Sequence, residues 1–423
     1  MLAPADADLV RRDLALRGLG TLLDPEAFAL ALGSCIRDLT PGSARLLYLR
    51  YKPSWSCLAA FRVEVAGNPL DVYAKALARD AGLEFAEATG ALGTPHSRGI
   101  GRLTLPDGAT VVCLYPDDLR LPDLDLVLDA APRRRALRRL LPARSELWEA
   151  EASLLGYRPE RRHVSCLRTR EGPGAVLKLH ARKGFAAAQR GARALRSGSL
   201  LRIAPLLGSS ERLRAIALGW LEGRPLRDLV RGSEPLAAPL AAVGRALAEL
   251  HAQLPDLAPR PRRTALRALR AEAIRLGFLL PDAAKRVAGL ADAIAQRLQA
   301  LPEPSCCVHG DFYDKQVVLM ADGVGILDLD GVAIGDPGAD LGLFFAHLAL
   351  DVEMGRLAEA RAAEAGAALL EGYRAQGGAA PVGAHTAAAL LGLASYPFRR
   401  RDPEWPQVFD QLLSRAEQLL AAG

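Results

Sequence analysis

The chain has 423 residues, 50% of them apolar, with 54 Lys and Arg against 48 Asp and Glu for a formal charge of +6. That length supports about two or three domains, and no run of about 20 uncharged apolar residues offers a membrane span. The opening MLAPADADLVRRD alternates charge with apolar groups, unlike a secretory leader. Six cysteines lacking disulfide rhythm or paired C-x-x-C spacing suit a reduced, cytoplasmic protein, with Cys306 and Cys307 expected as buried thiols.

In chain order, residues 45–116 hold short β-rich runs at 45–51, 57–65, 70–77 and 110–115, with a helix expected over 78–92. A charged, proline-punctuated segment follows at 116–142. The β pattern returns at 163–169, 175–180, 200–207 and 213–220, with a helix near 182–196. Beyond Pro225 the periodicity is helical: 235–253, 264–279, 283–300, 357–375, 384–393 and 406–421. One β-rich island at 306–329 interrupts it.

Arginine is clustered at Arg133, Arg134 and Arg135, at Arg138 and Arg139, at Arg161 and Arg162, and at Arg399, Arg400 and Arg401. These groups lie on helix-like stretches without interleaved aromatics, so nucleic acid is not the expected partner.

The β-rich part echoes itself. Tyr51-Lys52-Pro53 and Ser56-Cys57-Leu58 match Tyr157-Arg158-Pro159 and Ser165-Cys166-Leu167, and Lys75 matches Lys178. The offset is 106 residues at the tyrosines and 103 at the lysines. A duplicated small β-lobe is expected, with both lysines at equivalent strand positions and Cys57 and Cys166 buried on the same sheet face.

The chemistry concentrates in Val308-His309-Gly310-Asp311-Phe312-Tyr313-Asp314-Lys315-Gln316 and in Gly325-Ile326-Leu327-Asp328-Leu329-Asp330. An apolar strand delivers a turn bearing a carboxylate. Five residues later comes a side-chain amide, and a hairpin then ends in a second carboxylate. Phosphoryl transfer needs such a set: one carboxylate to orient an acceptor hydroxyl, and hard oxygens to hold Mg²⁺ against nucleotide phosphates.

The order His309-Gly310-Asp311 with Gln316, then Ile326-Leu327-Asp328, then Gly335-Asp336-Pro337-Gly338-Ala339-Asp340-Leu341 resembles the H-G-D-x-x-x-x-N, I-D and G-D-P-x-x-D-L pattern of the aminoglycoside phosphotransferase and choline kinase-like family. Ala248-Glu249-Leu250-His251 is similar to that family's helix end upstream of the motif. The resemblance covers about residues 145–423. It implies an α+β, protein-kinase-like fold: a small antiparallel β-lobe and a mainly helical C-lobe, preceded here by the extra N-terminal β-lobe.

The implied domains are an accessory lobe at 1–144, a nucleotide-binding lobe at 145–222 and a helical lobe at 223–423. By the same resemblance Asp311 is the catalytic aspartate, His309 a scaffold for its loop, and Asp328 the main Mg²⁺ ligand with Gln316. Lys178 reaches the nucleotide phosphates, and the adenine packs near Trp220 and Leu221. Asp330 is either a ligand or a hairpin cap, and Asp336 and Asp340 are turn and N-cap groups. The implied reaction carries the γ-phosphate of ATP (or GTP) to a hydroxyl of a small molecule.

The chain departs from the family at three points. Gln316 stands for asparagine. The helix after Lys178 offers Gln189 but no acid, whereas the first copy has Glu84 and Glu87 after Lys75. The hairpin at 157–162 lacks glycines, so Arg161 and Arg162 either clamp phosphates or solvate the turn. A kinase of a peptide hydroxyl, and a pseudokinase that binds nucleotide without turnover, are the alternative readings. The accessory lobe is a candidate cleft cover, regulator site or homodimer interface. The sequence does not name the acceptor, although the basic group at 399–401 would suit an anionic one.

Overall fold

The computed structural model describes residues 2–36, 41–78, 101–303 and 306–422. The helix expected over 78–92, with Glu84 and Glu87, lies beyond Ala78 outside the described residues.

Two five-stranded antiparallel sheets form the first half. Strands β1 (Pro41–Lys52), β2 (Ser56–Val65), β3 (Asn68–Leu77), β4 (Arg102–Thr104) and β5 (Thr110–Leu114) assemble in the order β1-β2-β3-β5-β4. After the helix Ala130–Leu140 come β6 (Glu151–Arg158), β7 (Arg162–Thr169), β8 (Gly172–His180), the short β9 (Leu201–Arg202), β10 (Leu206–Ser210) and β11 (Ala215–Gly219). The second sheet reads β6-β7-β8-β11-β10, the same order and sense.

The duplication extends to register. Lys75 on β3 stands opposite Leu58 and Val111, and Lys178 on β8 stands opposite Val164 and Ile216. Tyr51 faces Cys57 as Tyr157 faces His163, and the third turn residues, Ser54 and Glu160, share a left-handed backbone with φ of 54° and 59°.

The cysteine echo does not follow this register. Cys57 pairs with Ala76, one residue past Lys75, whereas Cys166 pairs with Val176, two residues before Lys178. Because side chains alternate along a strand, Cys57 lies on the face away from its lysine and Cys166 on the face of its lysine. Both are buried, on opposite faces. The Ser-Cys-Leu match is therefore a coincidence of composition, and the Tyr-basic-Pro turn carries the repeat.

The helical part holds Ala237–His251, Arg262–Leu279, Ala284–Gln299, Glu359–Ala375, Gly383–Leu393 and Trp405–Ala421, close to the periodic stretches. It also holds Pro337–Glu353, which periodicity missed. That helix is apolar on several sides because it lies between two cores. Leu341, Phe344 and Leu348 face one core, and Ala346 and Leu350 the other, so no single polar stripe marks it. Between the lobes, β12 (Arg224–Pro225), β14 (Val317–Met320), β15 (Gly323–Ile326) and β9 make a small sheet, and β13 (Cys306–Val308) pairs with β16 (Ala333–Gly335).

The accessory sheet is fastened at both ends. On one face Phe61, Val63 and Ala74 join a core with Leu290, Leu391 and Phe409 of the C-terminal helices. Asp6, 2% exposed, accepts from Arg401 at 2.9 Å and from the Trp405 indole at 3.2 Å. On the other face Lys75 donates to Glu160, at the tip of the β6–β7 hairpin, at 2.9 and 3.0 Å, and Arg50 donates to the same carboxylate at 2.9 Å. Much of the arginine of the sequence clusters is consumed in such internal contacts. Arg133 donates to Ala150 O, Arg138 stacks on Trp148, and Arg401 binds Asp6. Among the described residues no helix is long and apolar enough to cross a membrane.

Breaking one partner of a buried ion pair costs about 3 kcal/mol or more. Glu160→Ala is expected to lower urea-unfolding stability by about that much, and Lys75→Ala to cost less in that background than alone. The expected coupling is at least about 1 kcal/mol; additivity within about 0.5 kcal/mol would show that the two lobes are not held through this pair.

Candidate active site

Strand β13 ends at Val308 and hands the chain to a loop built on one buried carboxylate. Asp340, 1% exposed in the helix Pro337–Glu353, accepts from the backbone N–H of His309 at 2.6 Å and of Gly310 at 2.8 Å, and bonds His251 Nε2 at 3.0 Å. His251 is held in turn by Tyr373 Oη at 2.8 Å. Burial by itself would raise the Asp340 pKa, but His251 and the loop N–H groups bring it below the ordinary carboxylate value. The N-cap role belongs to Asp336, which accepts from Gly338 N–H at 3.1 Å.

His309 is fully buried, and its ring links the two motif loops. Its Nδ1 accepts from Asp311 N–H at 3.2 Å, so Nε2 carries the hydrogen and donates to Leu327 O at 2.7 Å. Gly310 turns the chain with φ of 80°, where a Cβ would stand 2.5 Å from Gly331 O. Asp311 opens to solvent beyond this turn. Its pKa is raised, first by partial desolvation and then by the charge of Asp328.

Asp328 follows β15 in a left-handed conformation, φ 61°, uncommon for a residue with a Cβ. Its carboxylate receives Arg162 at 2.8 and 2.9 Å and Lys178 at 2.8 Å. Asp330 adds contacts to Arg162 at 3.1 Å and to Lys178 at 3.2 Å. Burial would raise the Asp328 pKa, yet Lys178 and Arg162 hold it well below the usual carboxylate range. Gln316 is buried and lines the same cleft, and its backbone carbonyl accepts from Leu327 N–H at 2.8 Å.

Arg162, Lys178, Gln316, Asp328 and Asp330 stand at the charged end of a cleft of about 530 Å³ between the second sheet and the helical part, whereas Asp311 and His309 do not line it. Val164, Val176, Ile216, Leu218, Val318 and Ile326 line the apolar end. Lys178, Arg162, Trp220, Leu221, Gln316 and Asp328 all reach this cleft. Arg161 does not: it is the last residue of the hairpin turn, before the strand begins at Arg162, and it lines a second cavity, of about 410 Å³, toward the accessory sheet. Gln189 donates to Ser209 at 3.2 Å rather than meeting Lys178, whose acids are Asp328 and Asp330. The helix Arg182–Ala194 is seated by packing instead. At Gly191 a Cβ would stand 1.9 Å from Leu329 O, so only glycine lets the helix lie on the Asp328 turn.

Sequence reading missed the supports of the hairpin. Asp118 accepts from Tyr157 Oη at 2.7 Å and from Glu160 N–H at 2.8 Å, and Tyr115 Oη meets His163 Nε2 at 3.1 Å. Asp118 also caps its own turn, accepting from Arg120 N–H at 2.7 Å and Leu121 N–H at 3.0 Å, so a local turn role hid its long-range one.

Residues 167–381, just over half of the chain, match the model of the phosphotransferase enzyme family (APH), and the chain belongs to that family. Its fold is α+β and protein-kinase-like, as solved structures also indicate. A choline kinase from Cryptosporidium parvum Iowa II aligns with 12% identity and a TM-score of 0.51, over 70% of this chain and 97% of that one. A thermostable mutant of the aminoglycoside phosphotransferase APH(4)-Ia, in ternary complex with AMP-PNP and hygromycin B, aligns with 15% identity and a TM-score of 0.50, over 69% and 98%. No curated protein sequence matches the chain.

Two buried histidines flank the site. Burial pushes His163 down to about 4. It does the same to His180, two residues after Lys178, where the pull of Asp330 does not offset it. Both bind a proton in the unfolded chain near pH 6.5 and resist it when folded, so the unfolded state binds more protons between these values. Stability is therefore expected to fall as pH drops from about 6.5 to about 4, by up to about 1.4 kcal/mol per pH unit for each histidine. Denaturant midpoints across that range check it: His180→Gln should flatten the slope, and an unchanged slope would remove His180 from the account.

Proposed function

We propose that the protein transfers the γ-phosphate of ATP (or GTP) to a hydroxyl of a small molecule, with Asp311 as base. The observation that carries this reading is the meeting of Lys178 with Asp328 at 2.8 Å, across 150 residues of sequence, at the charged end of an apolar cleft. A nucleoside suits the apolar end near Trp220 and Leu221, and its phosphates suit the cations Lys178 and Arg162. The family and the AMP-PNP complex of a structural neighbour support a nucleotide co-substrate.

The donor set also suits Mg²⁺. Among the described residues no group of three or more His, Cys, Asp and Glu stands ready to hold a metal. Asp328 and Gln316 supply two hard oxygens, with Asp330 beside them, and Mg²⁺ ordinarily completes such a set with waters and phosphates. Bound there, it would offset the charge of the phosphates. Lys178 and Arg162 neutralise Asp328, and with Mg²⁺ held by Asp328 and Gln316 they would be available to phosphate oxygens.

In the transfer the acceptor O–H proton passes to Asp311, a bond forms from the acceptor oxygen to the γ-phosphorus, and the bond to the β–γ bridging oxygen breaks, releasing ADP (or GDP). Asp311 must be ionised, so its raised pKa makes the rate fall as pH drops through that value. His309 fixes the Asp311 loop. We further propose the division into an accessory lobe at 1–144, a nucleotide lobe at 145–222 and a helical lobe at 223–423. Gln316 and the glycine-free hairpin favour one competing reading, nucleotide binding without turnover.

Asp311→Asn is expected to lower kcat by about 10² or more while AMP-PNP affinity stays near wild type; wild-type turnover in the variant would remove Asp311 as base. Calorimetry of Mg²⁺–AMP-PNP should show a larger loss for Asp328→Ala than for Gln316→Ala, because a carboxylate brings charge and an amide only a dipole. Equal losses would overturn that ranking.

A further inference from the structure

The second cavity opens beside the nucleotide cleft and shares Tyr157, Arg158 and Lys315 with it. Its walls come from three parts of the chain: the accessory sheet, the β6–β7 hairpin and the helical part around Tyr313, His347 and Arg399. Tyr313 follows Asp311 by two residues and stacks on His347 at 4.1 Å. Asp311 itself does not line this space, but Arg158, which does, is near enough for its charge to lower the Asp311 pKa.

Its charge is one-sided. Each acid that faces it is already neutralised: Asp71 by Arg62 at 2.7 and 2.8 Å, and Asp351 by Arg231 at 2.7 Å. Arg227 is likewise spent on Asp314, at 2.8 and 3.0 Å. Five cations remain: Arg158, Arg161, Lys315, Arg399 and Arg400. None of the five has a carboxylate within ion-pair reach among the described residues. They confront one another. Desolvation first, and then Arg50, Arg158 and Arg162, lower the pKa of Arg161; desolvation and the charges of Arg227, Arg400 and Arg231 lower that of Lys315.

All five are exposed to solvent, so water and salt screen their mutual repulsion in part, and the positive potential that remains favours an entering anion. We propose that this cavity binds the phosphoryl acceptor and that the acceptor is an anionic polyol, a hydroxyl compound bearing a phosphate or carboxylate. The inference rests on the kinase reading of the neighbouring cleft. Guanidinium forks at Arg158, Arg161, Arg399 and Arg400 match the paired oxygens of such a group. Tyr48, Tyr313 and Tyr396 offer ring faces for a sugar-sized body, for which about 410 Å³ is ample. A cationic amino sugar would meet five positive charges without ion-pair partners, against the single carboxylate of Asp311 beside the space. The accessory sheet is thus part of the acceptor site, because Tyr48 and the strands behind it close the cavity.

A matched series on one scaffold tests this by calorimetry: glucosamine, glucose, gluconate and glucose 6-phosphate, each with the full-length protein at low salt. The anions are expected to bind at least tenfold more tightly than glucose, and glucosamine to be weakest. Arg399→Gln and Arg400→Gln should each weaken glucose 6-phosphate about tenfold, while Arg399→Lys keeps most of the affinity. Glucosamine binding as tightly as glucose 6-phosphate would overturn the proposal. So would absence of anion binding, or anion binding indifferent to both Gln variants. AMP-PNP with Mg²⁺, titrated into the same preparations, reads the kinase proposal separately, so failure of one is not mistaken for failure of the other.

Discussion

A carboxylate as deeply buried as Asp340 is tolerable only if donors meet it, since an unpaired buried charge costs several kcal/mol. Here the donors are the N–H groups of His309 and Gly310 together with His251. Satisfying that one charge fixes the backbone of the motif loop. The fixed loop turns Asp311 N–H toward His309 Nδ1, which settles the imidazole tautomer, and the opposite nitrogen then ties down Leu327 just before Asp328. Both chemistry-bearing carboxylates are positioned by a third that is hidden from solvent. The helix Pro337–Glu353 carries that third carboxylate between the two cores, so packing and site geometry are the same construction.

The duplicated sheet takes its place in the molecule through a different charge. In the second sheet the lysine on β8 faces Asp328; in the first, the equivalent lysine on β3 faces Glu160 from the second sheet's own hairpin. One copy of the fold thus uses its lysine position at the cleft and the other uses it to grip its sibling. That grip, with Asp118 beneath Tyr157 and Glu160, holds from behind a hairpin that has no glycines. A hairpin anchored this way presents Arg162, at the start of its second strand, to one cavity and Arg161, at the end of its turn, to the other.

The two cavities divide the electrostatics between them. In the cleft Lys178 and Arg162 are balanced by Asp328 and Asp330, so charge there is paired and exchangeable. In the neighbouring space the acids are spent on structural pairs and the cations are left over. Arg158 and Lys315 belong to both walls, so the field of one cavity reaches the other.

The sequence by itself determined most of the elements and the phosphotransferase family. Period-2 and period-3.6 patterns located most strands and helices, because each has one wet face, and the His-Gly-Asp and Leu-Asp-Leu-Asp motifs pointed to the carboxylates proposed to act. The Tyr-basic-Pro turns revealed the repeat because a tight turn constrains residue identity locally. Only the tertiary structure decided what depends on two distant surfaces meeting. The apolar-all-round helix Pro337–Glu353 has no stripe to read, and the shift that puts Cys57 and Cys166 on opposite faces follows from strand pairing. Lys178 takes its acids from a loop 150 residues away, not from the helix that follows it. The role of Asp340 and the surplus of positive charge beside the cleft are likewise invisible in one dimension. Both are set by which partners each charge finds, and pairing between distant side chains is a property of the folded chain alone.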